Sequence, residues 1–407
     1  MNMKNRTSLI LSLCLAATLN ATVAYSEVNI KKYARTAEQP KLYYSVITVD
    51  NTCYVAGTGD GRAESPDESY YDKTQRCFAS IQRSLQMAGL DLENVVQAWV
   101  MLEDPDGVKE MTRAWKELFP MNSPARTTFY VANIPGPSQM EITAIAYGDL
   151  AERKIVGPKD LTYSLGVLAG KTLYVSGRGS AKPEGGQHET FEEQARQAMK
   201  NMEHALNEAG LDFRHVVWSN IYLDNYDNYA VFNKVYSEFF EYGNEPARVT
   251  VFCEGIPGGN HVEVTCIATT DLNDREVVRP ASMKYGPDEA AMTASPGVWA
   301  GNTLYLSGLS GFVPQEGITT VDIEAQFRQM MQNHLDVLEE AGLCFDDIVS
   351  ANVYLRNIND YDTMNGFYGG YFERKGPGVR TCFQPNHGSE KNDVRLRASF
   401  IMAGDRK

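Results

Sequence analysis

The sequence predicts an α+β protein built from three copies of one domain. One recurring stretch, an arginine followed by an apolar strand, a turn and further strand residues, begins at Pro124, Pro246 and Gly378. Two more patterns recur upstream of each copy, an apolar strand that ends in glycine and a helix end that reads Ala-Gly-Leu. The strands are Thr52–Gly57, Thr172–Gly177 and Thr303–Gly308, and the helix ends begin at Ala88, Ala209 and Ala341. The repeat spans roughly 120 residues, which is the size of a domain rather than of a solenoid unit.

Each copy predicts the element order β-β-α-β-α-β-β. In repeat one the predicted elements are strands Leu42–Val49 and Cys53–Gly57, helix Tyr71–Ala88, strand Val95–Leu102 and helix Gly107–Phe119, followed by a hairpin. An apolar stripe from Phe191 to Ala209 predicts the first helix of repeat two, and repeat three has helices at 323–340 and 361–372. Two helices cover only one face of such a sheet. We therefore expect the other two repeats to cover the second face.

The predicted domains are 41–150, 160–272 and 292–403, joined by linkers at 151–159 and 273–291. Residues 1–26 predict a signal peptide, because two basic residues precede a short apolar run and Ala24-Tyr25-Ser26 follows it. That run is too short to span a bilayer. We expect a periplasmic or secreted protein.

Composition excludes several classes of partner. The 407-residue chain has a formal net charge of −14, which disfavours binding to nucleic acid or to an anionic membrane. The cysteines show no metal-binding spacing, and His261-Val262-Glu263 lacks the downstream cysteine pair of a zinc deaminase. We expect neither a metal nor a cofactor. Cys253 and Cys266 fall on facing strands of a predicted hairpin, and the sequence leaves open whether they form a disulfide.

The predicted hairpin of repeat two carries a candidate site. Arg248 opens its first strand and Glu263 lies early in its second, so we expect the two side chains to face each other. A guanidinium fork beside a carboxylate holds a substrate carboxylate while the acid handles protons, although the same pair also fits a structural ion pair. Arg126 and Glu141 have the same spacing in repeat one. In repeat three, Arg380 keeps its position but Arg395 stands at the expected place of the acid.

These motifs resemble the RidA/YjgF family. The resemblance rests on Pro-Ala-Arg before an apolar strand, a Pro/Gly turn, Val-Glu-Val-x-x-Ile-Ala, and the upstream Tyr-x-Ser-Gly and Ala-Gly-Leu, and it extends to all three repeats. It implies a chorismate-mutase-like fold, a trimer with clefts between subunits, and hydrolysis of reactive 2-imino or enamine acids to 2-keto acids and ammonia without a cofactor. This chain then resembles such a trimer fused into one polypeptide, and we expect it to be monomeric.

Carried over to this chain, the resemblance implies that Arg248 grips the substrate carboxylate and that Glu263 positions and activates water. The other matching cleft positions are Tyr163, Ser176 and Asn233 in repeat two, and Tyr43, Arg126 and Glu141 in repeat one. Repeat one departs from the pattern at Ala56, in place of the serine, and at Thr112, in place of the asparagine. Repeat three keeps Ser307, Asn365, Arg380 and the family's cysteine as Cys382, but Ala294 replaces the tyrosine.

The expected substrate is a small imine or enamine that bears a carboxylate. On these assignments turnover depends on Arg248 and Glu263, with a smaller share from repeat one, while the Arg380 cleft binds anions only. The alternative is an exported module that holds a small carboxylate or a protein partner without turnover. The sequence does not say which repeats meet at each cleft.

Overall fold

The computed structural model describes residues 27–36, 42–61, 68–158, 162–283, 293–314, 316–372, 375–388 and 393–406. The predicted signal peptide, residues 1–26, lies outside them. Within the described ranges, no helix is both long enough and apolar enough to cross a membrane.

The three repeats have the same succession of elements. Repeat one contains β1 (Ile30–Tyr33), β2 (Val46–Val49), β3 (Thr52–Gly59), α1 (Tyr70–Met87), β4 (Val95–Leu102), α2 (Val108–Leu118), β5 (Ala125–Tyr130) and β6 (Met140–Tyr147). Repeat two contains β7 (Arg153–Val156), β8 (Gly166–Ala169), β9 (Thr172–Val175), β10 (Arg178–Gly179), α3 (Phe191–Glu208), β11 (Val216–Leu223), α4 (Tyr229–Ser237), β12 (Ala247–Phe252) and β13 (Val262–Thr269). Repeat three contains β14 (Arg275–Val278), β15 (Gly297–Ala300), β16 (Thr303–Leu306), β17 (Leu309–Ser310), α5 (Ile323–Ala341), β18 (Ile348–Leu355), α6 (Tyr361–Tyr368), β19 (Val379–Phe383) and β20 (Leu396–Ala403).

Local sequence explains where the long helices begin and end. Thr190 and Glu193 form a capping box at the start of α3, and Ser69 and Asp322 cap α1 and α5. The glycine of each Ala-Gly-Leu motif follows its helix in the left-handed conformation, with φ of 76° at Gly89. The three long helices are therefore confirmed to within one residue, whereas the second helix of repeat three ends at Tyr368, four residues before its predicted end.

The two predicted linkers each contain a strand. β7 and β14 pair antiparallel with the first predicted strand of their repeats, β8 and β15, as β1 does with β2. The sequence predicts both segments to be linkers because the first is polar and contains Gly157-Pro158, and the second contains Pro280 and Pro287. Charge is typical of a short edge strand, because it protects the unpaired edge from other chains.

The predicted hairpin between β12 and β13 is wrong. The sheet order of repeat two is β12-β11-β13-β9-β8-β7, so β11 lies between the two strands, parallel to one and antiparallel to the other. Arg248 pairs with Ser219 of β11, whereas Glu263 pairs with Tyr222. Residues three apart on a strand point to opposite faces of a sheet. Arg248 and Glu263 of one repeat therefore face away from each other.

The three sheets meet around a shared core, as the uncovered sheet faces predicted. Aromatic side chains from all three repeats pack there, with Phe129 stacked on Tyr222 at 4.3 Å and Trp99 against Trp218 at 6.3 Å between ring centroids. Phe383 of repeat three contacts Phe129 at 5.6 Å. Each repeat also has a separate core between its sheet and its helices. The predicted α+β pseudo-trimer is thereby confirmed.

Candidate functional site

Each site arginine lies on the edge strand of its sheet and contacts the next repeat. The backbone N–H of Arg126 on β5 donates to Ser176 Oγ of repeat two at 3.0 Å, and that of Arg248 on β12 donates to Ser307 Oγ of repeat three at 2.8 Å. Repeat three meets repeat one where β19, which carries Arg380, contacts β3, but Ala56 stands at the serine position and the serine bridge is missing there. We name the three sites cleft 1/2, cleft 2/3 and cleft 3/1, with the repeat that supplies the arginine first.

A glycine of each repeat lies against the side-chain position that holds an acid in two of the three clefts. A Cβ atom on Gly57 would overlap the carboxylate of Glu141, and one on Gly177 would overlap the carboxylate of Glu263. Glycine therefore permits the close approach of each acid to the backbone. In repeat three a Cβ on Gly308 would instead lie 3.4 Å from Cδ of Arg397.

Arg397, not Arg395, is thus the counterpart of the two acids. Arg397 pairs with Ser310 of β17 in the register in which Glu263 pairs with Gly179 of β10. The assignment of Arg395 is wrong because a longer loop between β19 and β20 shifts the spacing in repeat three. Arg395 lies outside the clefts and binds both carboxylate oxygens of Asp360, at 2.7 and 2.8 Å.

Cleft 3/1 pairs Arg380 with Glu141. The guanidinium of Arg380 is held by the Tyr361 hydroxyl at 3.1 Å, and its centre lies 5.7 Å from the Tyr43 ring of repeat one. Burial raises the pKa of the Glu141 carboxyl to about 8, and Arg380 and the backbone N–H of Cys382 oppose that rise. Among the described residues, Oε1 of Glu141 and Nη1 of Arg380 are buried without a hydrogen-bond partner. These two atoms suit a bound substrate, because buried polar groups are almost always satisfied.

Two more side chains of cleft 3/1 match the family pattern, although Ala56 stands in place of the serine. Cys382 follows Arg380 on the same face of β19, and Oδ1 of Asn365 on α6 is buried without a partner in the described part of the chain. Burial raises the pKa of the Cys382 thiol to about 12, so it is a neutral group and not a nucleophile. The two repeats that looked incomplete in sequence therefore combine into the cleft with the fullest set.

Cleft 1/2 pairs Arg126 with Glu263 around a cavity of about 500 Å³. The Arg126 guanidinium lies 4.6 Å from the Tyr163 ring centre and donates to Thr112 Oγ1 at 3.4 Å. Burial raises the pKa of the Glu263 carboxyl to about 7, less than for Glu141, because both Arg178 and Arg126 favour the charged form. Burial also lowers the pKa of Arg126 to about 10, so this arginine stays cationic at neutral pH.

Cleft 2/3 combines Arg248 with a second arginine. Nη2 of Arg248 donates to Asn233 Oδ1 at 2.6 Å and to Thr250 Oγ1 at 3.0 Å, while Nη1 is buried and finds no partner among the described residues. The cavity beside it measures about 650 Å³, with Ala294 at the place that Tyr163 and Tyr43 occupy elsewhere. No carboxylate is among the described residues that line it.

The structure therefore redistributes the predicted site residues. Tyr163 and Ser176 contact Arg126 rather than Arg248. Of the cleft positions predicted for repeat two, Asn233 is the one that contacts Arg248. Sequence reasoning missed Arg178 and Arg397. A signal for Arg178 was present, since a charged residue directly follows the Tyr-Val-Ser-Gly strand. For Arg397, only strand pairing marks the register, since Leu396 pairs with Leu355 of β18 as Val262 pairs with Leu223 of β11.

Cys253 and Cys266 do not form a disulfide. Cys253 and Cys266 are both free and buried, and they belong to different cores, one shared by the repeats and one internal to repeat two. Within the described ranges, no group of three or more histidine, cysteine or acidic side chains is placed to hold a metal ion.

Comparisons with known proteins agree with this architecture. The family described as Endoribonuclease L-PSP matches residues 35–148, 158–270 and 287–394. The 2-iminobutanoate/2-iminopropanoate deaminase of Rattus norvegicus is 36% identical over 108 residues, which are 26% of this chain and 78% of that protein. The Homo sapiens protein of the same name is 34% identical over 115 residues, 28% of this chain and 80% of its own. A chorismatase crystal structure covers 84% of this chain and 97% of that chain with a TM-score of 0.55 at 12% identity, which shows a common fold.

Proposed function

Since the chain belongs to the RidA/YjgF family, we propose that it hydrolyses reactive 2-imino and enamine acids to 2-keto acids and ammonia, without a cofactor, at clefts 3/1 and 1/2. The observation that carries the proposal is the buried arginine–glutamate pair that each of these clefts assembles from two repeats. A pair in which the carboxyl has a pKa near neutrality is suited to proton transfer at physiological pH.

The arginine holds the substrate. Arg380 and Arg126 are each more than nine-tenths buried and stay cationic, so a 2-imino acid enters with its carboxylate on the guanidinium fork. Tyr43 and Tyr163 lie against these guanidinium groups from the neighbouring repeat. This arrangement fixes the imine carbon relative to the glutamate of that repeat, which is the main benefit of a rigid site.

The glutamate moves protons. The imine carbon is already electrophilic when its nitrogen is protonated, so the carboxylate of Glu141 or Glu263 takes a proton from a water molecule whose oxygen bonds to that carbon. The protonated carboxyl then returns the proton to nitrogen. The carboxylate next takes the hydroxyl proton as the carbonyl of the 2-keto acid forms and the carbon–nitrogen bond breaks, and this proton leaves with the ammonia as ammonium.

The direct test is ammonia release from a freshly generated 2-imino acid. The wild-type chain should accelerate release above the spontaneous rate, and a chain carrying Glu141→Gln and Glu263→Gln should not. An inactive wild-type chain that still binds 2-keto acids would instead favour the alternative, a binding module for small carboxylates. Cleft 2/3 favours that second function locally, since no described residue there supplies an acid.

We also propose that the mature chain is a monomer, because each sheet face that a subunit would bury in a trimer is already covered by another repeat. Light scattering that returned three times the chain mass would contradict this proposal. Export remains a prediction from residues 1–26, which N-terminal sequencing of protein from a periplasmic or culture fraction would test.

A further inference from the structure

We propose that cleft 2/3 is a binding site for an organic dicarboxylate with an apolar or aromatic body, which it holds without turnover. Family membership does not lead to this inference. It follows from a feature of this chain, the guanidinium of Arg397 at the place where the other two clefts have a carboxylate.

Two guanidinium groups converge in this cleft. Arg248 donates to the side-chain oxygen of Thr250, and Arg397 donates from Nη1 to the carbonyl oxygen of the same residue at 3.2 Å. Gly308 lies against both arginines, since its N–H donates to the Arg248 carbonyl at 2.9 Å and its Cα side faces Cδ of Arg397. Two guanidinium groups that contact one residue and line one cavity suit the two carboxylates of a single ligand.

The burial of Arg248 is a second indication of a ligand, and it does not depend on Arg397. Its side chain is 5% exposed, and Nη1 is buried without a partner among the described residues. A buried guanidinium N–H that no protein atom accepts is costly, and a ligand carboxylate would satisfy it.

The walls of the cavity select an apolar body. Tyr226, Tyr229 and Phe252 pack against one another on one side, with ring centroids 4.9 to 6.1 Å apart. Leu309 and Phe312 line the other side. Ala294 removes the tyrosine that narrows the other clefts, and the resulting volume of about 650 Å³ is ample for a ring that bears two carboxylates.

None of the described residues that line cleft 2/3 is an acid, which is why we expect no turnover there. Leu309 and Arg397 occupy the places of Arg178 and Glu263 in cleft 1/2. Neither replacement accepts a proton from water at neutral pH. A ligand held here is therefore bound and released unchanged.

The test is calorimetric titration of the full mature chain with phthalate, a ring with two adjacent carboxylates, and with benzoate, which has one. We expect phthalate to bind more tightly than benzoate. Arg397→Gln should weaken phthalate binding about tenfold or more while changing benzoate binding little, since it removes one charged hydrogen-bonding partner of the dianion. Arg397→Lys, which keeps the positive charge, should weaken phthalate binding less than Arg397→Gln does.

Two control variants locate the effect. Arg395→Gln removes an arginine of the same segment that lies outside the clefts and should leave both affinities unchanged. Arg178→Thr removes the second arginine of cleft 1/2. If the preference for phthalate survives Arg397→Gln, or disappears in Arg178→Thr instead, the proposal is wrong.

A structure of the wild-type chain soaked with phthalate keeps the proposal testable even if Arg397→Gln fails to fold. We expect one carboxylate on Arg248 and the other on Arg397. Phthalate found only in cleft 1/2 or cleft 3/1, or the absence of saturable phthalate binding, would overturn the proposal. None of these readouts depends on deaminase activity, so the proposed function could fail while this one stands.

Discussion

Clefts 3/1 and 2/3 share one backbone plan but differ in charge. Cleft 3/1 pairs an arginine with a glutamate, whereas cleft 2/3 contains two arginines. In both, an edge-strand arginine lies over a glycine of the next repeat, but the side chain above that glycine is Glu141 in one cleft and Arg397 in the other. A fused trimer permits this difference, because each copy of a position can change without changing the other two. A homotrimer has three identical clefts by symmetry. Fusion therefore allows one molecule to combine clefts that pair an arginine with a glutamate and a cleft that contains two arginines.

The two clefts that keep an acid also differ from each other. Cleft 1/2 has Arg178 beside Glu263, whereas Thr58 holds the corresponding place beside Glu141. The additional guanidinium accounts for the smaller rise in the pKa of Glu263, to about 7 against about 8 for Glu141.

The first prediction separates the acid-bearing clefts from cleft 2/3. Replacing both Glu141 and Glu263 with glutamine should reduce turnover by on the order of a hundredfold or more, because no oriented base remains. Ammonia release measures the loss, and circular dichroism checks the fold. Arg395→Gln, a change outside the clefts, is the control and should retain full activity. Undiminished turnover in the double variant would contradict the assignment of both acids.

The second prediction concerns stability and pH. The folded chain keeps the Glu141 proton up to a pKa of about 8, while an unfolded chain releases it near its ordinary value of 4.5. The folded state thus binds more protons between these values, so this residue makes the free energy of unfolding fall as pH rises. Glu141→Gln should reduce that fall by on the order of a few kcal/mol between pH 5 and 8.5.

Urea unfolding of both proteins at the two pH values measures this effect. Glu208→Gln on the exposed face of α3 is a matched control, and its unfolding free energy should follow the pH dependence of the wild type. An identical pH dependence in Glu141→Gln and wild type would show that Glu141 titrates normally in the folded chain.

The third prediction separates clefts 3/1 and 1/2. Activity of Glu263→Gln, which leaves cleft 3/1, should rise with pH around a midpoint near 8, and that of Glu141→Gln, which leaves cleft 1/2, around a midpoint near 7. The sign follows because the carboxylate is the form that accepts a proton from water. Adding Arg178→Thr to Glu141→Gln should move its midpoint upward. Ammonia release is measured between pH 5.5 and 9.5. If both variants have the same pH midpoint, the two clefts do not differ in the pKa of their glutamate.

The fourth prediction concerns the interfaces themselves. Ser176 Oγ accepts the Arg126 N–H at 3.0 Å and donates to the Ser164 carbonyl at 2.6 Å, a bridge that Ala56 cannot make at the 3/1 interface. Ser176→Ala should cost about 1–3 kcal/mol of unfolding free energy, because it leaves a buried N–H unpaired. Urea unfolding measures the cost, and the control is Ser237→Ala at the end of α4, where the half-buried hydroxyl bonds only within its own helix to the Lys234 carbonyl among the contacts described. A cost no larger than that of the control would mean that the bridge contributes nothing.

Some of the site could be identified from sequence and some could not. Arg126, Arg248, Arg380, Glu141 and Glu263 all lie in clefts, as their spacing in the repeat suggested. The expected partnership of Arg248 with Glu263 is wrong, because a short separation along the chain was taken for contact while β11 occupies the space between the strands. The assignment of Arg395 to the place of the acid is wrong for a related reason. The loop between β19 and β20 is longer than its counterpart in repeat two, so the spacing from the arginine is not constant.

Local sequence is sufficient to identify the threefold repeat, the limits of the long helices and the side chains available for chemistry. These features follow from the periodicity of apolar residues and from the conformational freedom of glycine at helix ends. Which arginine meets which acid follows from the packing of the repeats, because each cleft joins residues of two repeats that no fixed spacing along the chain relates. The same packing sets burial, and burial raises the pKa of Glu141 to about 8 and that of Glu263 to about 7.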